Sequence, residues 1–160
     1  MTAFQLVGLD AAAFAPLFDL SDAELAARGA VRRFADASPG YPCRVSLRDA
    51  ALGEELLLLP FEHQPALSPY RASGPVFVRR GASAAALPPG ELPPYVTSRL
   101  MSVRGYDAGH AIVDAAVCEG TALEAEIGRQ LADPAVAYLH LHNAKRGCFS
   151  CRVDRVEPAA

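Results

Sequence analysis

The sequence predicts an α+β fold: a single domain over residues 1–160, with a largely antiparallel sheet, two main helices and a C-terminal β-hairpin. Three observations carry the prediction. Seven or eight short apolar segments have strand length, whereas only two capping-box patterns announce helices of any size. Two pairs of consecutive strands, Arg99 to Tyr106 with Ala111 to Val117 and Val136 to His142 with Cys148 to Val156, read as hairpins, which are antiparallel. The chain has 160 residues, enough for one core that buries about two-thirds of the unfolded surface.

The elements follow in order. Phe4 to Leu9 reads as a strand, and Ser21-Asp22-Ala23-Glu24 opens a helix that Gly29 closes. Val31 to Ala35 is a second strand, ending at the turn-rich Ser38-Pro39-Gly40-Tyr41-Pro42. Ser46-Leu47-Arg48-Asp49 is expected to cap a single helical turn. Glu55 to Phe61 carries a leucine run that does not alternate, so it is expected to be a central strand covered on both faces. An irregular, Pro-bounded connection then leads to a strand at Val76 to Arg80. From Gly81 to Pro94 the composition shifts to Ala, Pro and Gly, expected to form an exposed loop, lid or strap.

Arg99 to Tyr106 and Ala111 to Val117 flank a hairpin loop at Asp107-Ala108-Gly109-His110. Thr121-Ala122-Leu123-Glu124 is the second capping box, and Leu123, Ile127 and Leu131 line one face of the helix that follows. Pro134 ends it. Val136 to His142 and Cys148 to Val156 form the terminal hairpin.

Composition narrows the partners. Fourteen arginines and one lysine oppose 18 acidic residues, for a net charge of -3, so no global basic field exists to hold nucleic acid or an anionic membrane. No apolar run approaches the roughly 18 residues of a membrane span, and the N-terminus lacks an export signal. A cytoplasmic location is expected, with Cys43, Cys118, Cys148 and Cys151 as thiols. Oligomeric state is not legible.

Chemistry concentrates in the terminal hairpin. Alternation puts Tyr138, His140 and His142 on one face of the first strand and Leu139 and Leu141 on the other. Pairing His142 with Cys148 would match Leu141 to Phe149 and Leu139 to Cys151. That register gathers His140, His142, Cys148, Ser150 and Arg152 on one polar, half-exposed surface. Cys148 and Cys151 would then point to opposite faces, which argues against a shared C-x-x-C site and makes Cys151 a core residue. His140-x-His142 is also a recurrent metal-ligand spacing, to which His63 or Cys148 could add a third donor. Hydrogen bonding to neighbouring strands is the favoured reading of this pair. Cys148 with His142 or His140 could alternatively form a nucleophilic pair, Asn143 orienting the imidazole.

Tyr41-Pro42-Cys43-Arg44-Val45-Ser46-Leu47, Glu62-His63-Gln64-Pro65, Ser68-Pro69-Tyr70-Arg71-Ala72-Ser73 and His142-Asn143-Ala144 with Gly147-Cys148 and Arg152-Val153 carry a family likeness. Together they resemble the bacterial family called domain of unknown function 1203. Phe14-Ala15-Pro16-Leu17-Phe18 with Ser21-Asp22 resembles its opening, so the likeness covers almost the whole chain. The resemblance implies a bacterial source and a small stand-alone protein, and it brings no activity, substrate or cofactor.

The favoured expectation is a protein that binds or transforms a small anionic metabolite. Arg44, Arg71 and Arg152 would clamp the anion, with Tyr70 and Asn143 beside them. His63 or His142 would serve as acid or base and Cys148 as nucleophile. No cofactor is expected on this reading. One alternative is a metalloprotein holding zinc or another transition metal on His140 and His142. The other is a non-catalytic module that presents its polar face and the 81–94 loop to a protein partner.

Overall fold

The computed structural model describes residues 2–157. Ten strands form two five-stranded sheets, an α+β arrangement rich in antiparallel pairs and ending in the predicted hairpin. The first sheet has the order β1-β10-β9-β7-β8, from Phe4–Val7, Phe149–Arg155, Tyr138–Asn143, Leu100–Tyr106 and Ile112–Glu119, all antiparallel. The second has the order β2-β5-β6-β3-β4, from Val31–Phe34, Glu55–Gln64, Ala72–Arg79, Pro42–Cys43 and Arg48–Asp49. Only the short β3–β6 pairing within it is parallel.

Each sheet has its own core. Helix α3 (Leu123–Leu131) lays Leu123, Ile127 and Leu131 against Val103, Leu139, Leu141, Cys151 and Val153 of the first sheet. Burying each of those aliphatic side chains contributes about 2 kcal/mol. The second core joins Leu57, Leu59, Val76 and Val78 to Phe14, Phe18 and Leu25 of the N-terminal turns and helix α1 (Asp22–Ala26), and it also includes Phe149 from the first sheet. Leu56 faces the other way, under Tyr41 and Phe77, so the leucine strand is covered on both faces as expected.

Local chemistry explains the boundaries. The Ser21 hydroxyl accepts from the Glu24 amide at 3.1 Å and the Glu24 carboxylate accepts from the Ser21 amide at 2.7 Å, completing the predicted box. Gly29, at φ +72°, turns the chain so that the Ala30 amide donates back to the Leu25 carbonyl. The second box is not made. A 3₁₀ turn at Gly120–Ala122 precedes α3, whose cap Ala122 offers no side-chain oxygen, so Thr121 lies one residue too early. The helical turn expected at Ser46 to Asp49 is also absent. The Leu47 amide instead donates to the Cys43 carbonyl, Leu47 takes φ +53°, and Arg48–Asp49 return as β4 against β3. β6 starts four residues earlier than expected, and Pro75 sits opposite Pro60, where neither strand needs an amide from the other.

The 81–94 segment is a packed strap. The Ala85 amide donates to Val45, the Gly90 amide to Phe4, and the Gln5 side chain to Leu87. Ala85, Leu87 and Leu92 rest on the first core, so the strap covers the β1 edge.

The hairpin register departs from the alternating expectation. Phe149 pairs with His142, a bulge falls at Ser150, and Cys151, Arg152, Val153 and Asp154 pair with Leu141, His140, Leu139 and Tyr138. One extra residue lets Phe149 join the histidine side while Cys151 and Val153 still reach the first core. No strict alternation satisfies both cores. The bulge does.

Candidate functional site: a cationic groove beside a buried imidazole cluster

β3 and the β9–β10 loop approach each other through one side chain, Arg44, which is only 2% exposed. Its Nε donates to the Phe149 carbonyl at 2.8 Å, Nη1 to the Pro42 carbonyl at 2.6 Å and Nη2 to the Cys148 sulfur at 3.2 Å. A buried guanidinium needs such partners, and here they tie the second sheet to the start of β10. Asn143 Nδ2 lies 3.9 Å from the same sulfur, and the Asn143 and Cys148 backbones pair across the loop. The half-buried Cys148 is thereby fixed from two sides.

Cys148 opens onto a groove of about 880 Å³. Arg33, Arg44, Arg99, Lys145 and Arg146 line it with a single carboxylate, Glu119. Tyr41, Leu58, Pro75 and Phe77 supply apolar wall. Arg99 is held by Asp49, at 2.5 Å from Nη2, and donates to the Tyr95 carbonyl. Among the described residues, Arg33, Lys145 and Arg146 have no carboxylate within ion-pair distance. The concave shape, a volume in the usual range for small-molecule sites and unspent positive charge suit an anion.

The histidines lie elsewhere. His140 and His142 are 3% and 1% exposed, so the half-exposed polar surface expected for them is instead an interior packed against the second sheet. His63, from the end of β5, sits with its ring centre 4.9 Å from that of His142 and 6.1 Å from that of His140. Phe149 stacks on His63 at 5.4 Å and meets both other imidazoles edge-on. Burial holds His140 down to about 3 and His142 down to about 4, and it lowers His63 as well. The neighbouring imidazoles and Arg104 add to the effect, while the Gly147 carbonyl, 2.9 Å from His142 Nδ1, opposes it. Neutral His142 therefore carries its proton on Nδ1, leaving Nε2 as the bare nitrogen. His63 Nδ1, His140 Nδ1 and His142 Nε2 are buried without a hydrogen-bond partner among the described residues.

His140 and His142 share this cluster with His63. Among the described residues, no group of three or more His, Cys, Asp or Glu is arranged to hold a metal ion. Phe149 packs against all three imidazoles, and Cys148 is engaged by Arg44 and Asn143 instead of joining them. The hydrogen bonds expected to run from the histidines to neighbouring strands reduce to one, from His142 to Gly147.

The structure thus brings Arg44, Asn143 and Cys148 together and leaves the other expected residues outside the groove. Arg71 is exposed and paired with Glu62 at 3.0 Å. Tyr70 lies in the same loop, 40% exposed, its ring edge-on to Tyr106. Arg152 stacks over Tyr138 at 4.0 Å and pairs with Asp154. Sequence reasoning missed Arg33, Arg99, Lys145 and Arg146. Lys145-Arg146 was the available signal, two cations at a hairpin tip beside Cys148, whereas Arg33 and Arg99 reach the groove only through tertiary folding.

Fold and site together define a two-sheet α+β protein with a cationic groove at the junction between its sheets. The chain belongs to the family described as protein of unknown function DUF1203, whose model matches residues 40–155. That span includes the imidazole cluster and every groove-lining residue except Arg33, and it leaves the Phe14 to Asp22 likeness outside. No curated protein and no solved structure matches this chain.

Proposed function

We propose that the groove binds a small anionic metabolite, and that the protein works in a bacterial cytoplasm as a binding protein or an enzyme for it. One observation carries the reading: five cationic side chains line the groove against one carboxylate, and four of the five have no carboxylate partner among the described residues. Lys145 and Arg146, at the exposed hairpin tip, meet the anion first. Arg33 approaches from β2 on the opposite wall. Arg44 is committed to two carbonyls and a sulfur, so it shapes the floor and supplies charge from beneath. Tyr41, Phe77 and Leu58 offer a face for the apolar part of a ligand.

If the groove also performs chemistry, Cys148 is its nucleophile. The Arg44 N–H directed at the sulfur holds it in place at the groove, where an imidazole was first expected. No helix is long and apolar enough to cross a membrane. Isothermal titration with citrate and with pyrophosphate tests the reading. Wild-type protein is expected to bind at least one of them, with affinity falling as salt rises, and Lys145→Ala/Arg146→Ala should weaken that binding about tenfold or more. Equal affinity in the double variant would remove the groove from consideration.

A further inference from the structure

Two of the four thiols are half-buried, and their surroundings are opposite in charge. Cys118, on β8, lies near Glu126 and Glu119, which together with burial push its thiol upward. Cys148 receives an N–H from Arg44, lies by Asn143 and shares its groove with Arg33, Lys145 and Arg146. Cys43 and Cys151 are sealed in the cores at 0% and 1% exposure.

We propose that Cys148 is a modification site, exchanging with small anionic disulfides and holding one half of the molecule in the groove as a mixed disulfide. The inference rests on the groove's being an anion site and adds the thiol chemistry to it. Cys148 loses its proton to solvent, and the thiolate attacks one sulfur of the incoming disulfide. An S–S bond forms to Cys148 while the incoming S–S bond breaks, and its electron pair leaves on the other half, which takes up a proton as a thiol. The protein thiol is oxidised and the released half is reduced, so no further oxidant is needed. Carboxylates of the bound half meet Lys145, Arg146 and Arg33. Arg44 holds the attacking sulfur in place.

The test follows modification of the folded full-length protein by peptide mapping, with three disulfides that differ in charge: oxidised glutathione (anionic), bis(2-hydroxyethyl) disulfide (neutral) and cystamine (cationic). Oxidised glutathione is expected to modify Cys148 about tenfold faster than Cys118, with the advantage shrinking as ionic strength rises. Cystamine should narrow or reverse that order. Lys145→Ala/Arg146→Ala should slow oxidised glutathione at Cys148 and leave the rate with the neutral disulfide unchanged. A rate at Cys148 indifferent to the charge of the disulfide, or Cys118 reacting faster with oxidised glutathione, would overturn the proposal. Cys43 and Cys151 report unfolding if they react. Citrate titration of Cys148→Ser separates the two claims: retained binding with a charge-indifferent thiol sinks the exchange alone, whereas absent binding in this variant and in wild type sinks the anion site as well.

Discussion

The groove and the imidazole cluster lie on neighbouring stretches of one hairpin and handle charge in opposite ways. At the tip and its base, Lys145 and Arg146 hold positive charge in solvent, and the buried Arg44 holds it beneath Cys148. A few residues away, His140 and His142 are stripped of charge by burial and pack as aromatic rings on His63 and Phe149. Residue type alone would rank the histidines as the reactive groups. Their surroundings make them interior packing, whereas a half-buried thiol and a pair of exposed cations line the groove.

Protonation is the hardest test of that contrast. The folded-state values of His140 and His142, about 3 and about 4, lie below the ordinary 6.5 of an unfolded imidazole. The unfolded chain therefore binds more protons below pH 6.5, and stability should fall as pH drops from 6.5 until the folded imidazoles protonate near 3 to 4. Together they account for a loss of at most about 8 kcal/mol. Denaturant titrations across this range check it, and His140→Phe should flatten the profile; an unchanged slope in that variant would place the acid sensitivity elsewhere.

Arg44→Ala comes next in size. It frees two carbonyls and a sulfur and leaves a hole between the sheets, for an expected loss of about 2 to 4 kcal/mol in chemical denaturation. Arg44→Lys should recover only part of it, because one ammonium does not span the three acceptors.

Lys145→Ala/Arg146→Ala should change stability by less than about 0.5 kcal/mol while reducing anion binding about tenfold. Stability and binding thus come apart on the groove side, and they should not on the histidine side. Arg71→Ala gives the smallest effect. Its exposed pair with Glu62 is worth about 0.5 kcal/mol at most, and anion affinity should stay at the wild-type value in calorimetry.

Much of the fold was legible because it rests on local chemistry. The Ser21 box, the Leu123, Ile127 and Leu131 stripe, and the inward Leu139 and Leu141 are fixed by hydrogen-bond geometry and periodicity. The division into two sheets was not, since pairing between distant strands leaves no local trace. Nor was the bulge at Ser150, which exists because Phe149 belongs to one core and Cys151 to the other. At the site, Arg44, Asn143 and Cys148 stood out as polar groups beside turns. Arg33 and Arg99 did not, because their convergence on the groove depends on β2 and on the chain after α2 (Pro94–Thr97) meeting the hairpin tip. Arg71 and Arg152 show the converse, since a guanidinium in a conspicuous motif can be spent on a neighbouring carboxylate.

The central claim, that small anions enter at the hairpin tip, is tested most directly by following backbone amide resonances during a titration with citrate. Shifts concentrated at residues 41–44 and 143–148, and lost in Lys145→Ala/Arg146→Ala, are the predicted result. Shifts centred on residues 62–71 and 110, or none at any site, would contradict it.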